Sequence, residues 1–279
     1  RYPKMAVLPR YCVVLSSLLS FGIDAVLYLC AMRYIIYAVL LLCVHGLWAQ
    51  KDTTVSKLNL LTLNLGYGVD WPGGDLKDRF GQSLSFHTGL DLVRKSSFTL
   101  GVDFSYHFGA KIREDVLAPY RNENGLVLGI SGVAADLFIR ERAAYIGLNA
   151  ARIVYHTQEH SGIELGMGAG LLYHKLHFVD DSRSVLLIEA PYGKGLDRLT
   201  RGFALKQEIA YQYHSAKSAL HFQLGFYITE AFTRQVREFN FDTGLPASTD
   251  RRSDLLYGFK VVWQLPLVKR STVPSIRYF

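Results

Sequence analysis

The residues of this sequence that could do chemistry are histidines, carboxylates and lysines set at alternate positions of apolar stretches. His87 lies close to Asp91 in one stretch, and Asp103 lies close to His107 in the next. Ionisable groups held together away from water can relay protons or guide ions, or can simply pair with one another. We expect one inward-facing polar network made of His87, Asp91, Asp103, His107, Glu164, His174, Lys206, Glu208, His214, His221 and Lys260.

A second group has the residue types of a serine hydrolase or acyltransferase. It consists of His174, His177, Asp180, Asp181 and Ser182 at the start of a long linking segment. Acyl transfer needs a nucleophile, a base and a carboxylate that orients the base. The spacing matches no specific signature, and such residues are common in solvated loops. We therefore predict no catalytic residues and no enzyme, and keep a lipid hydrolase or acyltransferase as an alternative.

The sequence gives little evidence for a metal site, a cofactor site or a reactive thiol. His156 and His160 are four positions apart, a spacing that pairs two side chains on a helix, and no helix is expected there. The cysteines Cys12, Cys30 and Cys43 all precede residue 50, so the body of the chain has no disulfide framework and no thiol nucleophile. We predict no metal site and no cofactor.

The elements that position the polar residues are β-strands, because the hydrophobic period is two. Phe98, Leu100, Val102, Phe104, Tyr106 and Phe108 alternate with smaller or polar residues. A strand places two such sets on opposite faces. The same alternation recurs near residues 61–67, 83–92, 143–154, 163–174, 202–214, 220–228 and 255–265, which makes eight strands.

The links between these strands alternate in length. Long links run over residues 69–81, 110–132, 179–198 and 233–253, whereas those after the second, fourth and sixth strands are short. Outer-membrane barrels have long extracellular loops, short periplasmic turns and an even number of strands. The sequence therefore predicts an all-β fold, an eight-stranded antiparallel up-and-down transmembrane β-barrel in the cell outer membrane.

The composition of the two faces separates this prediction from a soluble β-sandwich or a lipocalin-like barrel. A soluble protein turns its large apolar face inward and its polar face to water. Here the polar face is rich in Gly, Ser, Ala and Thr, which fit a narrow lumen. The other face is almost entirely Leu, Phe, Tyr, Ile and Val, which suits contact with lipid.

The first part of the chain has the character of targeting sequence. Residues 32–49 contain a basic start, an apolar run from Tyr34 to Val44 and a cleavage region ending at Ala49, as in a signal peptide. We expect residues 1–31 to be non-native upstream or targeting sequence, although an inner-membrane anchor is the alternative. The barrel is expected over residues 50–267 and a periplasmic tail over 268–279.

The distribution of charge along the chain indicates which kinds of partner the protein binds. The net charge of +7 is spread along the chain with acids close by, so nucleic acid is not an expected partner. Membrane lipid and lipopolysaccharide are expected partners. The runs 140–142 (RER) and 250–252 (DRR) suit lipopolysaccharide phosphates.

Four segments carry a family resemblance: residues 47–50 (LWAQ), 195–200 (GLDRLT), 239–244 (FNFDTG) and 254–267. They resemble a Bacteroidetes-type family of outer-membrane β-barrel proteins that has no established activity. The resemblance covers about residues 55–270 and includes no catalytic motif. It implies an outer-membrane location and a role beside envelope or secretion machinery.

The predicted function is a non-enzymatic structural or accessory envelope component whose extracellular loops bind a partner or a glycan. Exposed aromatic side chains commonly anchor partners. The loop candidates are Trp71, Tyr120, Tyr192, Phe239 and Phe241. A narrow pore for small solutes is the main rival, and a rim-located lipid enzyme is the other.

Overall fold

A computed structural model describes residues 60–94, 98–158, 161–214 and 221–269. Their alternating pattern forms eight long strands, as expected. The strands are β1 (Leu60–Gly74), β2 (Ser83–Val93), β3 (Phe98–Gly109), β4 (Leu137–Gln158), β5 (Ser161–Asp180), β6 (Thr200–His214), β7 (His221–Gln235) and β8 (Arg252–Lys269).

The eight strands form a closed antiparallel barrel. Each strand pairs with its neighbours in the chain, and β1 pairs with β8 from Leu60↔Lys269 to Gly74↔Asp254. Closure leaves no free sheet edge, which is a requirement for crossing a bilayer with strands. The predicted fold class is confirmed.

The faces of the strands separate as the alternation predicted. On β3 the odd positions, such as Ser105 and His107, are buried inside the barrel. The even positions, such as Leu100 and Val102, are exposed on the outside. The barrel therefore has a polar interior and an apolar exterior.

Several strands are longer than the alternation predicted, and β5 and β7, for example, reach Asp180 and Gln235. β1 continues through Trp71 and Pro72 to Gly74, where a loop was expected. Beyond Asp70 it pairs only with β8, so Pro72 lies at an edge that tolerates a missing N–H donor. β4 begins already at Leu137, because the charged run 140–142 keeps the strand period, with Glu141 buried between the outward-facing Arg140 and Arg142.

Four long loops join the strands at one end of the barrel. We name them L1 (75–82), L2 (110–136), L3 (181–199) and L4 (236–251). They contain 3-10 turns at Asp75–Asp78, Ala118–Tyr120, Leu186–Ile188 and Tyr192–Gly195, and L4 contains a hairpin of Phe239–Asn240 with Leu245–Pro246.

Several expectations lie outside the described residues. They are the signal peptide, residues 1–31, His160, the tail beyond Lys269 and the side chain of His214. β8 itself ends at Lys269, just past the expected boundary at 267. A search of the described part of the chain finds no helix with the length and apolarity to span a membrane.

Candidate functional site

The middle of the lumen is filled by an ion-pair network. Lys206 contacts Asp103 and reaches Glu208 at 4.0 Å, and Lys260 Nζ lies 2.7 Å from the same Glu208 carboxylate. The Lys206 ammonium also lies 4.6 Å from the ring centre of Tyr227. Charges removed from water need this degree of pairing to be tolerated.

Side-chain amides satisfy the carboxylates in the periplasmic half of the lumen. Asn64 donates to Asp91 at 2.6 Å and Asn149 donates to its other oxygen at 3.2 Å. Glu164 accepts hydrogen bonds from Gln212 and from Gln223, the latter at 3.2 Å. Among the described residues no lysine pairs with these two carboxylates, so the contacts seen there are hydrogen bonds rather than ion pairs.

A histidine chain lies further towards the loops. His107 Nδ1 is 2.7 Å from Asp70 Oδ2, and its Nε2 is 2.9 Å from Ser105 Oγ. Tyr227 donates its hydroxyl to the second oxygen of Asp70. Serine, histidine and aspartate in this order are the parts of a nucleophilic triad. All three are at most 2% exposed, so a substrate has no access to them, and the arrangement is structural.

The predicted rim cluster is not brought together. His174 faces the lumen, where its Nε2 lies 2.9 Å from Asp254, whereas His177 is on the opposite face of β5. Ser182 Oγ donates to Asp180 at 2.7 Å within its own turn. A hydrolase site at these residues would need a serine beside a histidine, and the fold separates them.

Little open space remains among the inward-facing side chains. A cavity of about 40 Å³ lies between residues such as Asn64, Asp103, Glu164 and Lys260. About 10–15 Å³ of such space holds one water molecule, so this cavity has room for a few. The lumen is therefore filled by side chains at this level.

Seven of the predicted lumen residues are buried in the structure, His87, Asp91, His107, Glu164, His174, Lys206 and Lys260, but the sequence did not predict several of their partners. The alternation in residues 220–228 places Tyr227 on the polar face but predicts no role for it, whereas its hydroxyl donates to Asp70. The predicted link 69–81 contains Asp70 and the charged run 140–142 contains Glu141, but both residues belong to strands. Alternation carried past the expected strand ends would have found Asp70 and Glu141, both buried inside, and also Asp254.

An apolar core seals the loop end of the barrel. Phe80 and Leu196 are fully buried, and Phe80 packs edge-on against the ring of His174 at 5.5 Å. The core joins three loops to inward residues of β5 and β8, and consists of Leu76, Phe80, Val116, Leu117, Val127, Leu176, Val185, Leu196 and Leu256. We name L1 to L4 with this core the loop cap.

Ion pairs link all four loops of the cap. Glu114 of L2 accepts from Arg79 of L1 at 2.6 Å and from Arg198 of L3 at 2.7 Å. Arg198 also reaches Asp242 of L4 at 2.6 Å. The backbone of Arg198 has φ of 50°, a left-handed conformation that costs energy for a non-glycine residue and persists only when its surroundings hold it.

The electrostatics of Glu114 show the strength of this link. Burial alone would raise the pKa of its carboxyl, but the charge of Arg79 and the hydrogen bonds from both arginines outweigh burial. The pKa of Glu114 is therefore lowered from its ordinary value. The carboxylate is ionised at neutral pH and remains paired.

Three of the five loop aromatics meet in the cap, and a fourth, Tyr192, lies in a neighbouring turn. The Tyr120 hydroxyl donates to the Phe241 carbonyl at 2.9 Å, and the Phe239 and Phe241 rings lie 6.0 Å apart. The Phe241 ring also covers Gly195, at the end of the turn that contains Tyr192. The exposed fraction is 57% for Tyr192 and 42% for each phenylalanine.

Two other residues singled out in the sequence, Trp71 and His156, lie outside the loop cap. Trp71 is not a loop residue, because it faces outward from β1 opposite Tyr257. His156 lies on β4, where extended backbone replaces the helix that its spacing to His160 would need. The described residues contain no group of three or more His, Cys, Asp or Glu side chains suited to a metal ion.

The outward-facing side chains indicate the environment in which the barrel resides. Outward residues in the middle of the strands are large, apolar and exposed, such as Tyr67 at 70%, Leu148 at 69% and Leu171 at 60%. A closed barrel with such an exterior and a polar interior suits a lipid bilayer. This chain is an integral outer-membrane β-barrel.

Comparison with known proteins finds solved barrel structures with low similarity to this chain. The outer-membrane barrel matches no protein-family model and no curated protein. Neisserial surface protein A is 10% identical, with 73% of this chain and 96% of that chain covered and a TM-score of 0.41. Ail, the attachment invasion locus protein of Yersinia pestis, is 8% identical, with 74% and 99% covered and a TM-score of 0.38.

The outer membrane protein OprG from Pseudomonas aeruginosa is a third such structure. It is 10% identical, with 77% of this chain and 100% of that chain covered and a TM-score of 0.35. Likeness at this level carries no argument about function. The function is therefore inferred from the lumen and the loop cap.

Proposed function

We propose that this barrel is a non-enzymatic envelope component whose loop cap binds a partner protein or a surface glycan. The observation that supports the proposal is that ion pairs and an apolar core tie four loops into one cap with exposed aromatic rings. Tyrosine and arginine are enriched at binding hot spots, and ordered loops lose less entropy on binding.

The two rival functions have less support. A pore needs a continuous water path, whereas the ion pairs of Lys206 and Lys260 occupy the lumen and Phe80 packs over His174. A rim enzyme needs a reachable nucleophile, and Ser105 is buried while Ser182 bonds to Asp180. Neither site supplies a base beside an exposed nucleophile.

The binding role is tested by site-specific photo-cross-linking in living cells. A cross-linker at Tyr192 is expected to yield one reproducible protein or glycan adduct, and Phe239→Ala is expected to reduce its yield about tenfold. Tyr155 is a matched control position, since it is an exposed aromatic near the opposite end of the barrel. The proposal fails if Tyr192 gives no adduct and purified surface polysaccharide does not bind the purified protein.

An enzyme assay separates the lipid-enzyme alternative from the binding role. The purified barrel is expected to leave lipid A and phospholipid unchanged in detergent. Turnover that His174→Ala abolishes would replace the binding role with lipid chemistry.

The family placement and the processing of the chain are part of the same proposal. Two segments of the Bacteroidetes-type resemblance, residues 195–200 and 239–244, meet in the cap through Arg198 and Asp242. The resemblance itself is the ground on which we propose membership of that family and a role beside envelope or secretion machinery. Mass spectrometry of the mature protein is expected to find Gln50 at the N-terminus, and retention of residues 32–49 would contradict the signal peptide.

A further inference from the structure

The outer wall carries a band of basic side chains on one half of the barrel. Strands β4 to β7 contribute outward-facing arginines, a lysine and a histidine near their loop ends. We name this set the basic band, and it consists of Arg140, Arg142, Lys175, His177, Arg201 and Arg234. The side chain of Glu141, which is 1% exposed, points into the barrel. Its carboxylate is therefore not on the outer face with Arg140 and Arg142.

The band lies next to the apolar exterior. On each strand the first cation follows an apolar outward residue, and on β4 and β5 the apolar Phe138 and Val179 lie beyond the cations. These neighbours, with the cation second, are Ala144 and Arg142, Tyr173 and Lys175, Phe203 and Arg201, and Phe232 and Arg234. In an outer-membrane barrel this is the level of the lipid headgroups at the loop end.

The cations oppose one another across the strands. Arg142 is directly opposite Lys175, and Arg201 is directly opposite Arg234. Like charges in directly opposed positions destabilise a sheet. In the described part of the chain, none of these four makes a salt bridge, and Arg142 only lies 6.0 Å from the Tyr106 ring centre.

The other half of the barrel lacks this feature. At the loop ends of β1, β2, β3 and β8 the outward side chains are uncharged. They include Trp71, Leu84, Phe108 and Ser253. The positive charge is therefore concentrated on one side of the wall at the membrane boundary.

We propose that the basic band is a binding site for the phosphate groups of phosphorylated glycolipid in the outer leaflet. An anion between opposed cations turns their repulsion into attraction, and arginine can bind phosphate through two parallel hydrogen bonds. The acyl chains of such a lipid would lie along the apolar wall below the band. The site is separate from the loop cap and does not depend on its binding role.

The test uses the full-length barrel purified in detergent and the lipid retained by native mass spectrometry. The variant replaces Arg142, Lys175, Arg201 and Arg234 by Gln. A matched control replaces the exposed loop cations Lys77, Lys111, Arg183 and Lys194 by Gln, which removes the same charge. Both must show the heat-dependent gel mobility of a folded barrel.

The probes are bisphosphorylated lipid A, the same lipid without phosphates, and excess inorganic phosphate. Wild-type and control protein are expected to retain bisphosphorylated lipid A, and the band variant is expected to lose at least about tenfold in retention. Equal retention by the band variant, equal loss in the control, or equal binding of the dephosphorylated lipid would overturn the proposal. Complete displacement by inorganic phosphate would identify a phosphate site instead of a lipid site.

Discussion

Glu114 is the residue on which the ordering of the loops depends most directly. Its two oxygens bind arginines from two other loops, and those arginines are 6% and 7% exposed. Glu114→Gln is expected to destabilise the cap by about 1–3 kcal/mol, because it leaves the nearly buried Arg79 without its paired carboxylate and Arg198 with Asp242 alone. Limited proteolysis of the purified barrel should then cleave L2 and L3 faster.

Asp115→Asn provides the matched control for this change. Asp115 pairs with Arg121 on the surface, where both side chains are more than one-third exposed. Exposed pairs contribute about 0–1 kcal/mol, so cleavage should change little. Equal protection of L2 and L3 in wild type and Glu114→Gln would show that the apolar core alone orders the cap.

Acid is expected to loosen the cap through the same carboxyl. The pKa of Glu114 is lowered in the folded protein, so its stabilising contribution is complete above the ordinary value of 4.5. The contribution is lost as the pH falls below 4.5 and through the lowered pKa. Proteolysis of L2 by an acid-active protease should rise over this range in wild type and less in Glu114→Gln. Identical pH profiles would contradict the assignment.

Lys206 tests the pairing of charges in the lumen. Lys206→Met leaves Asp103 buried without its counter-charge, which costs about 3–5 kcal/mol when a buried pair is broken. The double variant Asp103→Asn with Lys206→Met removes both charges and is expected to recover much of that loss. Urea unfolding followed by gel mobility measures both. Additive losses would show that the two side chains do not interact.

At the scale of elements, the packing of β8 against the lumen requires a glycine where side chains of other strands approach its backbone closely. A Cβ on Gly258 of β8 would lie 2.2 Å from the Tyr227 ring and 2.4 Å from Asp70 Oδ1. On Gly166 of β5, also inward-facing, the nearest atom would lie 3.4 Å away, which is ordinary contact. Glycine at residue 258 is therefore required by the hydrogen bond between Tyr227 and Asp70.

This difference predicts the outcome of a pair of substitutions. Gly258→Ala is expected to destabilise the barrel by about 1–3 kcal/mol, because it overpacks a filled interior. Gly166→Ala should have little effect. The midpoint of unfolding in urea, read by gel mobility, compares them, and equal midpoints would contradict the packing described for β8.

At the scale of the whole molecule, the filled lumen and the cap predict an insulating barrel. Wild-type protein in planar bilayers is expected to show no discrete conductance steps, because Lys206 and Lys260 are paired across the interior and Phe80 covers its end. A stable conductance that scales with salt concentration would contradict this prediction and favour the narrow pore.

The sequence by itself determined the strands, their inner and outer faces and the number of strands. Alternation with a period of two is a local property, so residues from Phe98 to Phe108 reveal it without knowledge of their neighbours. The alternation is harder to recognise where local composition interrupts it, at Pro72 in β1 and at the charged run near the start of β4.

Only the tertiary structure decided which polar residues meet. Asp70 joins His107 at a separation of 37 residues and Tyr227 at a separation of 157. Such contacts across a lumen depend on the tilt and stagger of all the strands, which no single segment encodes. The cap and the basic band arise in the same way, because loops and strand ends distant in sequence are brought together only when the barrel closes.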